Sequence, residues 1–159
     1  MPCGSPLYSW RVIGIGNPLR GDDGLGCRVI EELQRLPLPE QIELVDGGTG
    51  GMRLLSLLTD AAGILLVDAV DMGLAPGTLV RCSGPELLEE SRFGGAGDSH
   101  SGSLVQTLQL AALLQPLPEI VFFGLQIERV EYGRGLSAAI NSALPGLLTE
   151  IRQLLGAAP

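Results

Sequence analysis

The stretch from Val12 to Gly26 constrains this chain more than any other. The apolar run Val12-Ile13-Gly14-Ile15 stops at Asn17-Pro18, two adjacent carboxylates follow at Asp22 and Asp23, and an apolar stripe of helical spacing begins at Leu25. That order is a strand, a turn and a helix, with acids at the carboxyl end of the strand. Open α/β sheets place their ligand crevices at that end. The acids also precede a helix start, where the helix dipole favours negative charge.

The same alternation runs along the rest of the chain. A strand over about residues 11–15 leads to a helix over about 25–36, with Val29, Ile30, Leu33 and Leu36 inward and Glu31, Glu32 and Arg35 outward. Pro37 and Pro39 end it. A second strand, Ile42–Val45, runs into Asp46-Gly47-Gly48-Thr49-Gly50-Gly51, and a short helix covers about 52–58. The third strand, Gly63–Val67, is apolar without alternation, as a strand buried on both faces should be, and it ends at Asp68. Pro76-Gly77 is a turn before a short, edge-type strand at 78–81. Residues 84–102, rich in glycine, read as one long functional loop carrying His100. A helix over 104–114, a last central strand over 120–126 and a helix over 137–155 complete the chain, with Pro145 either starting a second helix or kinking the first.

Strands separated by helical stretches imply a doubly wound sheet with helices on both faces. If the first three strands run parallel, Asp23, Asp46 and Asp68 emerge on one rim. A length of 159 residues without a visible linker suits a single domain, 1–159, with residues 1–10 as an N-terminal extension.

Composition excludes several function classes. The net charge is −8, all ten basic residues are Arg, and no basic stripe occurs, which argues against nucleic acid and anionic membranes as partners. The three Cys, at 3, 27 and 82, form no Cys-x-x-Cys, so neither a disulfide framework nor a thiolate zinc site is expected. Cys27 shares the helix stripe of Ile30 and reads as a small buried hydrophobe. Met1–Ser9 lacks the basic and apolar regions of a signal peptide. No apolar run approaches the roughly 18 residues of a membrane-spanning helix, so a cytoplasmic protein is expected. Gly14-x-Gly16 fails as a dinucleotide fingerprint because Leu19 stands where its third Gly belongs, and the chain has no Lys for a P-loop.

The remaining candidates are polar groups in apolar or glycine-rich surroundings. Asp46 opens a Gly-Gly-Thr-Gly-Gly run, which serves equally as a strand-to-helix turn or as a loop that admits an extended ligand. Asp68 closes an apolar strand, and burial makes a partner obligatory, a cation included. Asp71 lies past that strand end and reads as exposed turn chemistry. His100 is the only imidazole; a lone His is usually structural or solvated, but its place between Ser99 and Ser101, in a Gly-rich loop just before a helix, strengthens the case for function. One His with two Asp makes an N/O₂ set with open positions, suited to nickel, zinc, manganese or iron.

Taken together, these motifs resemble those of the hydrogenase maturation endopeptidases. Gly14-Ile-Gly-Asn-Pro-Leu, Asp22-Asp-Gly-Leu-Gly26, Asp46-Gly-Gly-Thr-Gly-Gly, Leu66-Val-Asp-Ala and Ser99-His100 carry the resemblance, from about Arg11 to Leu155. It implies a three-layer α/β/α sandwich of phosphorylase/hydrolase-like type, with a twisted, mostly parallel five-stranded sheet. It also implies removal of the C-terminal peptide from the nickel-loaded large-subunit precursor of a nickel-iron hydrogenase. On that resemblance Asp23, Asp68 and His100 contact the nickel, which the precursor supplies. Asp22 supports them, and Asp46 matches a position tied to cleavage or substrate fit. Ser101 and Gly102 depart from the larger residues that some relatives carry after the His. The resemblance implies a catalytic set of Asp23, Asp46, Asp68 and His100; the sequence itself gives no oligomeric state, and a monomer that docks transiently on its precursor is the expectation. Metal-assisted and aspartic-type hydrolysis both fit these residues. A nickel-checking chaperone of the same fold that hydrolyses nothing, and a nucleotide- or phosphate-binding α/β protein, are the alternatives.

Overall fold

The structure, a computed structural model, describes residues 4–89 and 101–156. The strands are β1 (Tyr8–Gly14), β2 (Ile42–Asp46), β3 (Ala61–Val70), β4 (Leu79–Ser83) and β5 (Glu119–Gln126). The helices are α1 (Leu25–Gln34), α2 (Arg53–Leu57), α3 (Gly84–Glu89), α4 (Ser101–Leu114) and α5 (Ala138–Leu154), and a 3-10 turn, Gly21–Gly24, precedes α1. The five strands form one sheet in the order β2-β1-β3-β5-β4, parallel except for β4, which pairs antiparallel with β5.

Strand parity divides the core between two faces. Val12, Leu65, Val67, Val121 and Phe123 pack with α1 and α5. Ile13, Ile15, Ile64, Leu66 and Phe122 pack with Leu54 of α2, Leu87 of α3 and Leu104 and Leu108 of α4. Helices therefore cover both faces, giving the expected three layers. β3 and β5 are buried almost throughout, which is why their sequences are continuous rather than alternating.

Several boundaries differ from the sequence pattern. β1 begins at Tyr8, where Tyr8 and Trp10 pair with Ala61 and Gly63 of β3, so part of the expected extension is sheet. β3 continues through Asp68 to Val70, because Ala69 and Val70 are paired with Leu125 and Gln126. Residues 84–89 are helix, not loop. Ser83 and Glu86 form a capping box there: the Ser83 N–H donates to Glu86 Oε2 (2.7 Å) and the Glu86 N–H to Ser83 Oγ (3.4 Å). α4 starts at Ser101, before the expected Leu104. Pro145 lies inside one continuous 17-residue helix, α5.

Two glycines let α1 rest directly on the end of β1. A Cβ on Gly14 would lie 2.3 Å from the Gly26 carbonyl oxygen, and a Cβ on Gly26 would lie 2.2 Å from that of Ile15. Gly16, at φ +138°, repeats the device: a Cβ there would sit 1.9 Å from the Asp23 carbonyl oxygen. The glycines that imitate a dinucleotide fingerprint thus serve backbone-to-backbone packing. Gly26→Ala is expected to destabilise the fold by about 3 kcal/mol, read as a lowered urea midpoint; an unchanged midpoint would contradict the close approach.

Candidate active site

In this strand order the chain leaves β1 toward β2 on one side and returns to β3 on the other. Between β1 and β3 lies the topological switch point where open α/β sheets form their crevice. The loop after β1 carries Asp22 and Asp23, and β3 carries Asp68. The 3-10 turn holding both acids packs against β3.

Asp22 is fully buried and acts as a clasp. Its carboxylate accepts the N–H groups of Glu128 (2.8 Å), Arg129 (3.1 Å) and Ser137 (2.6 Å), and the Ser137 hydroxyl (2.9 Å). Ser137 in turn caps α5 by accepting the Ile140 N–H. One carboxylate therefore ties the turn after β1 to the loop after β5 and to the start of α5. The resemblance gives Asp22 only a supporting place beside Asp23; Ser137 as its partner was not evident from the sequence.

Asp23, at 5% exposure, lies over Gly16 and accepts the Asn17 N–H at 3.2 Å. Asp68, at 1% exposure, has the strand parity of Ile64 and Leu66 and so projects to the α2/α4 face. Its register partner on β5 is Gly124, whose missing side chain makes room for its neighbours: a Cβ there would lie 2.8 Å from Val70 Cγ1 and 3.2 Å from the Asp68 carbonyl oxygen. The Ile15 N–H donates to the Val67 carbonyl (2.8 Å), fixing the end of β1 against the strand that bears Asp68.

Asp46 reaches the same rim on the other face. It is the register partner of Gly14, is exposed, and accepts the Gly48 N–H at 2.9 Å. The Cys27 thiol of α1 contacts both Asp46 Oδ1 (3.7 Å) and the Gly16 carbonyl (3.8 Å). Burial, reinforced by the Asp46 carboxylate, pushes the Cys27 thiol up to about 11. It stays protonated at neutral pH and is no nucleophile. The Gly-rich run is built with positive φ at Gly48, Gly50 and Gly51, and the Gly16 N–H donates to the Gly48 carbonyl (2.8 Å).

Among the described residues no cluster of three His, Cys, Asp or Glu side chains is placed to hold a metal ion. His100, the only His of the chain, lies outside the described residues. Gln126, at 3% exposure, is a buried polar residue that the sequence pattern hides inside an apolar strand. Its side-chain oxygen accepts the Met72 N–H (2.8 Å), and its amide donates to Asp71 Oδ1 (3.1 Å), pinning the loop after β3.

Comparison with known proteins gives one consistent answer. The hydrogenase maturation protease family matches residues 27–154. The hydrogenase expression/formation protein HupD of Thiocapsa roseopersicina is 36% identical over 138 residues, covering 84% of this chain and 61% of its own length. The corresponding protein HoxM of Cupriavidus necator is 36% identical over 151 residues, covering 90% of this chain and 72% of its own length. A putative hydrogenase maturation protease of Methanocaldococcus jannaschii is 32% identical, covering 89% of this chain and 96% of its own. Among solved structures, the hydrogenase maturating endopeptidase HybD of Escherichia coli superposes with a TM-score of 0.84 at 27% identity, covering 93% of this chain and 92% of that one.

Asp22→Ala leaves four donors without their acceptor and is expected to cost about 3 kcal/mol or more. Thermal melting measures this, and an unshifted melting temperature would contradict the clasp. Cys27 should resist iodoacetamide in the native protein at pH 8 and become reactive as pH approaches about 11. Because its folded value lies above the unfolded 9.0, its contribution to stability is present below pH 9.0 and fades as pH rises toward about 11. Mass spectrometry of alkylated peptides reads the first effect, and urea midpoints across that window read the second.

Proposed function

The chain belongs to the hydrogenase maturation protease family, and we propose that it removes the C-terminal peptide of a nickel-loaded hydrogenase large-subunit precursor. The observation that carries this reading is the convergence of Asp23 and Asp68, both buried, on the switch point between β1 and β3.

In this proposal Asp23, Asp68 and His100 contact the nickel of the precursor, which arrives with the substrate. The donor chemistry supports it. Two carboxylates and an imidazole form an oxygen and nitrogen set that suits nickel. Cys27, the described thiol nearest the rim, is held protonated and adds no thiolate. The topology supports it as well. α4 has 14 residues, about 21 Å of helix, and ends at Leu114, shortly before β5 opens at Glu119. Its first turn therefore lies toward the rim from which Asp23 and Asp68 project, and His100 immediately precedes it in sequence.

For the chemical step, a carboxylate of the pair takes a proton from the water that attacks the scissile carbonyl and returns it to the departing nitrogen as the C–N bond breaks, and the precursor's nickel would supply Lewis acidity there. Asp46, beside the Gly-rich run, positions the polypeptide from the α1 face. No helix among the described residues is long and apolar enough to cross a membrane, and the proposed setting is a cytoplasmic monomer that meets its precursor transiently.

Incubation with precursor, with and without nickel, followed by intact-mass measurement tests this reading. Loss of the C-terminal peptide only from nickel-loaded precursor is expected; intact precursor in every condition would instead favour a chaperone that inspects nickel without cutting. Asp23→Asn, Asp68→Asn and His100→Ala should each lower processing at least a hundredfold while leaving the melting temperature near that of the parent. Asp71→Asn keeps the oxygen that Gln126 uses and should process at close to the parental rate.

A further inference from the structure

The loops after β1 and after β5 are stitched into one rigid platform next to Asp23. Arg20 and Tyr132 form an antiparallel bridge, the Gly133 N–H donates to the Leu19 carbonyl (3.1 Å), and the Asp22 N–H donates to the Arg129 carbonyl (3.1 Å). The Asp22 carboxylate closes the same pair of loops from below. The Arg20 guanidinium lies over the Tyr132 ring, 5.3 Å from its centroid.

This platform displays what a folded chain ordinarily covers. Leu19 is 68% exposed, Tyr132 72% and Val130 39%, although the bridge between the two loops holds the backbone at Leu19 and Tyr132. A rigid loop cannot fold these side chains back onto its own core, so their exposure is a fixed surface property. The charges beside them are also unspent. Arg11, Arg28, Arg35, Arg81 and Arg134 each face a carboxylate. Arg20 and Arg129 form no such pair among the described residues, and each has a buried Nε without a hydrogen-bond partner. In a chain of net charge −8, these two guanidiniums without a carboxylate partner sit on adjacent backbone segments.

We propose that Leu19, Val130 and Tyr132 with Arg20 and Arg129 form the docking surface for the precursor polypeptide, seating an apolar side chain and a carboxylate of the segment next to the bond that is cut. This rests on the precursor-processing reading above. The occupant follows from position and chemistry. Leu19 and Arg20 lie on the loop that carries Asp23, so whatever covers the platform is continuous with what reaches the acids. An apolar body with a negative group is what exposed Leu and Tyr beside unpaired Arg accept, and Tyr and Arg are the residue types that dominate the energetics of such contacts. Asp22 is then a positioning residue, since its hydrogen bonds fix both halves of the platform.

The test compares the parent chain with Leu19→Ser/Tyr132→Ser and with Arg129→Glu, using nickel-loaded precursor. Affinity is read by surface plasmon resonance, and KM and kcat by mass spectrometry, with melting temperature as the fold control. Each variant should weaken binding and raise KM at least tenfold, with kcat within twofold of the parent. Arg129→Glu should also reduce the parent's loss of affinity with added salt. Affinity and KM within twofold of the parent for both variants would overturn the proposal. A parent that binds precursor tightly but never shortens it would sink the peptidase reading and leave docking to be judged by affinity alone. A parent that does not bind precursor would end both.

Discussion

A single buried carboxylate organises the functional end of this molecule. Asp22 is removed from water and accepts four hydrogen bonds from residues more than a hundred positions away. Carboxylates are expensive to bury and are found buried only where such partners exist. Here the partners are backbone N–H groups of the loop after β5 and the cap of α5, so the cost of burial becomes a positional constraint. Asp23, next in sequence, inherits it. The neighbouring acid is held over Gly16 and against β3 because Asp22 cannot move.

Around that clasp the sheet sorts its polar groups by parity. Asp68 belongs to the α2/α4 face and Asp46 to the α1 face, although both sit at one rim. In the proposed reading, the two acids at the switch point meet the reacting centre and the third, on the opposite face, shapes the path toward it. The protonated Cys27, lodged between Gly16 and Asp46, keeps thiolate chemistry out of the crevice. Glycine accounts for the compactness: Gly14, Gly16 and Gly26 each occupy a place where any Cβ would strike backbone.

Much of this was legible in the sequence, for identifiable reasons. Continuous apolar runs marked β3 and β5 because strands covered on both faces have no polar side. Acids at the ends of such runs marked the rim because chain topology alone places strand ends together. What escaped detection was held by long-range pairing or by a signal overlaid with another. Ser137 and Gln126 look ordinary until their partners, Asp22 and the loop after β3, are brought to them by folding. The Ser83-x-x-Glu86 capping box of α3 was present in the sequence, but the glycine density that follows it led to a loop reading. Asp68 was placed at a strand end because it is the first charge after an apolar run, whereas pairing with β5 carries β3 two residues further. His100 and the rest of 90–100 lie outside the described residues.

The central claim is that the two buried acids of the switch point serve one cation together with the chain's only imidazole. A crystal structure of the protein soaked with nickel or cadmium addresses it most directly. The account predicts a single ion bonded to carboxylate oxygens of Asp23 and Asp68 and to an imidazole nitrogen of His100. An ion bound elsewhere, or the acids and the imidazole separated beyond the span of one coordination sphere, would contradict it.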